Sequence, residues 1–194
     1  MAKARPIRGL DAQAPVAHNA RLIAKARLED LYEWDEYVDS PYRVRELHNL
    51  RIAAKRLRYT LEIFADVLPQ ECEQFVEELT KVQDEVGALH DSDVMIALLR
   101  LCLGGQDSGV AYEDALVAAR SQKQHGKKDY ILPPELVADL LEPSTAPSAE
   151  ERYGLEQMLS RQQQTREEQY TTFRQHWYEL KAGDFRRELL DILS

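Results

Sequence analysis

The sequence predicts an all-α protein, an antiparallel four-helix bundle with long helices. Apolar residues recur at intervals of three and four over long stretches, prolines and glycines fall between those stretches, and no run of β-branched residues alternates with period two. Short connections between the first three stretches make successive helices antiparallel neighbours. The 194 residues are sized for one domain, 1–194, and a chain of that length buries roughly 70% of its unfolded surface, so a core is attainable without staples.

Each element has its own signals. Pro15 opens a helical pattern expected to continue through Val38. Asp39-Ser40-Pro41 reads as a stop, an N-cap and a proline at the first helical position, which places the second helix over about 41–67. Pro69 punctuates. Phe75, Leu79, Val82, Val86, Leu89, Val94, Leu98 and Leu101 then mark a third helix over about 70–103, closed by Gly104-Gly105. Residues 106–148 hold Gly109, Gly126, Pro133, Pro134, Pro143 and Pro147 around two short amphipathic stretches, and predict an excursion of short helices. Ser148 with Glu151 forms a capping box for a fourth long helix reaching about 180, and Asp184 caps a short terminal one. Residues 1–14 are expected to be flexible.

Charge is segregated along the chain. The formal net charge is -9. Yet residues 43–58 carry six Lys/Arg against Glu46 alone, whereas residues 29–40 carry six acids and no base. Residues 66–93 hold nine acids against Lys81. Such blocks produce a basic region focused against an acidic background, which argues against a general nucleic-acid coat. Within the basic block, His48, Arg51, Lys55 and Arg58 stand at offsets of three, four and three. At ~100° per residue they share an arc of about 80°, beside the apolar arc of Leu47, Leu50, Ala54, Leu57, Leu61 and Phe64. The stripe is about 15 Å long, enough to meet several charges of an extended anion. His18-Asn-Ala-Arg21-Leu-Ile-Ala-Lys25 repeats the phrase His48-Asn-Leu-Arg51-Ile-Ala-Ala-Lys55, so Arg21 and Lys25 form a supporting stripe on the first helix. His18, Arg45 and Arg56 are rim positions.

The sequence resembles the CHAD domain, the conserved-histidine α-helical domain, in two motifs. His48, Leu50, Arg51, Lys55, Arg56, Leu57 and Arg58 are similar to its first hallmark. Leu79 to Val94, with Gln83, Asp84, Gly87, His90, Asp91, Asp93 and Val94, are similar to the second. The resemblance implies a helical domain that binds inorganic polyphosphate, with His48, Arg51, Lys55 and Arg58 as core contacts, no catalysis and no cofactor. It also implies two pseudo-symmetric units around a basic cavity. This chain has one full unit, in which Arg58-Tyr59 and Leu61-Glu62 look like the second unit's version and Asp91-Ser92-Asp93-Val94 like the first unit's. A homodimer is therefore expected to restore the missing half.

Rival readings are definite. A basic face can be a solvated surface paired with acids, or a module that docks an acidic partner protein. His48, His90, Asp91 and Asp93 can also be set against a metal-dependent phosphohydrolase of the helical His-Asp type, but the cationic stripe repels a divalent ion and no further His-rich helix supplies ligands. Asp84, Asp91 and Asp93 are expected instead to act structurally, Asp84 and Asp91 sharing a face from which to orient cations of the second helix. Gly87, in mid-helix, suggests close helix approach. Trp34, Trp177, Tyr32, Tyr37, Tyr59 and Phe173 read as packing residues, and Cys72 and Cys102 as reduced thiols without metal spacing. With no signal-peptide pattern and no membrane-length apolar window, the chain is expected to be soluble and cytoplasmic, associated with polyphosphate granules if the resemblance holds. Binding to DNA through the same charges is disfavoured by the acidic remainder.

Overall fold

The structure, a computed structural model, describes residues 6–103 and 147–194. Among the described residues the protein is all-α, with five α-helices and one short 3-10 turn and no strand, and the helix packing is consistent with a bundle. The expected excursion at 106–148 lies outside the described residues apart from its last two, as do residues 1–5 of the expected flexible start and the Gly104-Gly105 stop.

Helix α1 spans Val16–Tyr32. Pro15 precedes it as expected and gives no side-chain cap. Its start is tied down instead by a reciprocal pair: the Asp11 backbone N–H donates to Asn19 Oδ1 at 3.1 Å, and Asn19 Nδ2 donates to the Asp11 carbonyl at 2.7 Å. The helix ends six residues earlier than its pattern suggests, and Asp35–Tyr37 form the 3-10 turn. The reason is tertiary, because Asp35 accepts bonds from Trp177 Nε1 at 2.7 Å and Lys181 Nζ at 2.8 Å.

Helix α2 covers Val44–Ile63, with Arg43 rather than Ser40 at the N-cap position. Ser40 and Pro41 occupy the first two places of a β-turn closed by the Arg43 N–H donating to the Ser40 carbonyl at 3.0 Å. Ser then Pro is favoured in such turns as well as at a helix start, so the dipeptide alone does not separate the two. Hydrogen-bonded turns replace helix between Phe64 and Leu68.

Helix α3 spans Cys72–Cys102 and α4 spans Ala149–Ala182. The capping box forms: Glu151 N–H donates to Ser148 Oγ at 3.3 Å and Ser148 N–H to Glu151 Oε2 at 2.8 Å. Helix α5, Phe185–Ile192, follows a left-handed Asp184 (φ 57°), whose side chain makes no cap and pairs with Arg187 Nη2 at 3.0 Å.

Two compact units divide these helices, residues 1–90 with 168–194 and residues 91–167. The first holds the main core: Leu28, Leu31, Leu47, Leu50, Leu57 and Leu61 pack with Phe75, Leu79, Val82, Val86 and Leu89, and with Phe173, Trp177, Phe185 and Leu189. Each leucine so buried is worth about 1.5–3 kcal/mol. The apolar arc of α2 is therefore sealed, which leaves its cationic arc as the chemically distinctive face. In the second unit Arg166, buried, is bonded to Asp93, and Gln162 Nε2 donates to Ser92 Oγ at 2.7 Å. No helix among the described residues is long and apolar enough to cross a membrane.

Candidate functional site

The α2 stripe emerges where the sealed arc ends. Leu47, Leu50, Ala54, Leu57 and Leu61 are buried, while His48, Arg51, Lys55 and Arg58 are each half-buried beside them. The four side chains thus line the border between the sealed arc and solvent. Helix α3 forms the floor. The Arg51 guanidinium lies against Gly87, where an added Cβ would fall 3.3 Å from Nε and 3.7 Å from Nη2. One turn further, the His90 ring stacks on that of His48 with centroids 4.6 Å apart and planes inclined by 39°. Two turns before Gly87, Thr80 Oγ1 accepts from Arg58 Nη1 at 3.4 Å.

Tyr59 stands between two of the cations. Arg58 Cζ lies 4.8 Å and Lys55 Nζ 5.6 Å from its ring centroid, both within cation–π range. Tyr59 therefore does more than pack, and its offset of four from Lys55 is the signal that points to it.

The electrostatics of the stripe are those of a cation cluster short of counter-charge. Among the described residues its one ion pair is Arg58 Nε with Glu62 Oε1, at 3.7 Å. Arg51 Nε and His48 Nδ1 are buried without a hydrogen-bond partner among the described residues, and so is Arg21 Nε. Burial foremost, then the adjacent His90 and Arg51, pushes the His48 pKa down to about 4, so the ring is neutral near pH 7. Several cations elsewhere are neutralised: Arg27 by Asp30, Lys81 by Glu78 at 2.6 Å, Arg174 by Asp39 at 2.6 Å, Lys181 by Asp35 and Arg186 by Glu29, the last two at 2.8 Å.

The supporting stripe is placed differently. Lys25 Nζ donates to Ser194 Oγ at 3.5 Å, at the end of the chain. The charge of Arg21 acts on Cys72, whose thiol burial pushes up and Arg21 draws back. No hydrogen bond or ion pair among the described residues joins either to the α2 stripe. Of the rim positions, His18 and Arg45 are exposed and Arg56 is half-buried. Asp84 is exposed and makes no ion pair with a cation of α2 among the described residues, and on α3 the Arg51 guanidinium lies against Gly87. Asp91 and Asp93 belong to the second unit, where Asp91 is exposed and Asp93 holds Arg166. No group of three His, Cys, Asp or Glu among the described residues is placed to hold a metal ion.

Such a constellation can receive an extended anion: two guanidinium forks, an ammonium, and a histidine able to take up a proton. The family model of the CHAD domain matches residues 3–100, which include α1, α2, the whole stripe and its α3 floor. No curated protein and no solved structure matches the chain.

Proposed function

Because the chain belongs to the CHAD domain family, which is associated with polyphosphate binding, we propose that it binds inorganic polyphosphate without catalysis, along the groove edge lined by His48, Arg51, Lys55 and Arg58. Arg21 and Lys25 lend support from α1. The observation that carries this reading is the buried polar nitrogens of Arg51 and His48 that lack a partner among the described residues. A buried donor left unmet costs about 1–3 kcal/mol, a cost that an anion drawing these side chains outward onto its oxygens relieves. The strip of positive charge suits a ligand with regularly repeated negative charge, held largely by counterion release.

The test is titration with long-chain polyphosphate at low salt. Arg51→Glu and Lys55→Glu are each expected to weaken binding by about tenfold or more and to flatten its salt dependence, while helix content and Tm stay as in the wild type. If both variants bind as the wild type does, the site assignment falls. An acidic peptide of equal charge should compete far less well, and a tie would favour a protein partner. Phosphate release by the purified protein in the presence of a divalent cation would favour a phosphohydrolase.

The same reading includes an antiparallel four-helix arrangement, a cytoplasmic location near polyphosphate, and a homodimer in which a second copy supplies the other wall of the cavity. A monomer by light scattering at micromolar concentration, with undiminished polyphosphate affinity, removes the dimer.

A further inference from the structure

A glycine in the middle of a long helix is costly. It gives up backbone entropy on folding and buries nothing, so it persists where a side chain would obstruct something. Two helical glycines offer a contrast. A Cβ at Gly154, on α4, meets nothing within 4 Å. At Gly87, on α3, the three nearest atoms all belong to one side chain, the Arg51 guanidinium, at 3.3, 3.7 and 3.9 Å. Gly87 is buried, its neighbours Val86 and Leu89 are core residues, and the space above it is taken by that planar group.

We propose that Gly87 is a positioning residue for anion binding, the seat on α3 against which the Nε–Nη2 edge of the Arg51 guanidinium rests. The inference rests on the polyphosphate reading for its functional half, and on contact geometry alone for the seat itself. A Cβ at 3.3 Å is tighter than ordinary carbon–nitrogen contact, so the guanidinium must rise by a few tenths of an ångström. It is the far end of a flexible side chain, so the shift is mild for the fold. It matters more for binding. A fork aimed at phosphate oxygens works over a narrow range of distance and angle, and a displaced Arg51 also moves its charge relative to the His48–His90 pair.

The two roles of the glycine thus pull in opposite directions. Replacing Gly87 with Ala improves helix propensity but spoils the seat. Replacing Gly154 with Ala improves propensity with no seat to spoil.

The experiment compares Gly87→Ala with Gly154→Ala in the full chain. Both are expected to keep or raise Tm, by up to about 2–4 °C. Only Gly87→Ala is expected to weaken long-chain polyphosphate, by about three- to tenfold, with the slope of affinity against salt unchanged because Arg51 keeps its charge. In an Arg51→Lys background, where no guanidinium occupies the seat, Gly87→Ala should cost nothing further. The seat is read without ligand through the Arg51 Nε–H signal in NMR, which should exchange slowly in the wild type and faster in Gly87→Ala. Equal exchange in the two proteins, or an undiminished effect of Gly87→Ala in the Arg51→Lys background, overturns the seat. Wild-type protein that binds no polyphosphate overturns the ligand reading instead, and a slowed Nε–H that depends on Gly87 would still uphold the seat.

Discussion

Helix α3 meets a histidine on each of two sides, and the two neighbourhoods are opposites. Toward α2, Thr80 and Gly87 face Arg58 and Arg51, and His90 stacks on His48. Two residues out of phase, which is ~200° around the helix, Glu78 and Glu85 face α4 and hold His176. His176 Nε2 bonds to Glu78 Oε2 and Nδ1 to Glu85 Oε2, both at 2.9 Å, and Lys81 Nζ reaches Glu78 Oε1 at 2.6 Å. Burial pulls the His176 pKa down, but the two carboxylates, by hydrogen bond and by charge, outweigh it and leave the pKa raised. At His48 burial acts in the same direction with no carboxylate to oppose it, and the pKa falls to about 4. One residue type is thus a staple whose protonated form the carboxylates favour on one side and a neutral, unmatched group on the other. A chain rich in acids has set its carboxylates against α4 and left the α2 cations with little but Glu62. A cation matched within the protein is structure. A cluster left short of counter-charge is where an outside anion gains most.

The largest effect that tests this contrast is on stability. His176→Ala removes the staple and leaves Glu78 and Glu85 close together, so it should cost about 1–3 kcal/mol, seen as a Tm lower by roughly 3–10 °C. His48→Gln, which gives up the ring contact with His90 but no hydrogen bond of Nδ1 among the described residues, should lower Tm far less. Equal losses in both would break the comparison.

The pH dependence gives the next effect, and its signs differ on the two sides. His176 has a folded pKa above the unfolded value of ~6.5, so its stabilisation is complete below that pH and is lost as pH rises through the folded pKa. The stability gap between wild type and His176→Gln in urea should therefore narrow as pH rises above ~6.5. His48, depressed to about 4, behaves oppositely: the unfolded chain takes up a proton first, so acidification from ~6.5 toward 4 is destabilising at this site. A bound polyanion supplies the missing negative charge and draws the proton onto the ring. Polyphosphate affinity should then rise as pH falls from 7 to 5, by at most about tenfold per unit, and His48→Gln should flatten that rise. A profile identical in wild type and His48→Gln would show that His48 takes no part.

Much of this was legible in the sequence, for identifiable reasons. The alternation of Leu47, Leu50, Ala54, Leu57 and Leu61 with His48, Arg51, Lys55 and Arg58 fixes both faces of α2, because helical phase is a local property. The Ser148–Glu151 box is likewise local and forms as expected. The ends of α1 and α2 were less legible, since Asp35 is turned toward Trp177 and Lys181 of a helix far away in sequence, and Ser40-Pro41 suits a turn as well as a helix start. Gly87 read as close approach without its partner, because nothing local says that the approaching group is Arg51. The carboxylates Asp84 and Asp91 share a face on the helical wheel, yet phase does not say which neighbour that face meets. His176 carried no sequence signal, as its partners lie 91 and 98 residues away.

The smallest effect sharpens the comparison most finely. Glu62 is the one carboxylate within ion-pair distance of the stripe among the described residues, 3.7 Å from Arg58 Nε and well exposed. At that distance and exposure the pair contributes little to folding, so Glu62→Gln should leave stability unchanged within about 0.5 kcal/mol. For a ligand the same carboxylate is a competitor, repelling phosphate and engaging Arg58. Its removal should raise polyphosphate affinity by about two- to threefold at low salt, and the gain should vanish near 1 M salt, where the Debye length shrinks to ~3 Å. A loss of affinity would mean that Glu62 aims Arg58 at the ligand, together with Thr80. The stripe would then share, in one residue, the matched design of the His176 side.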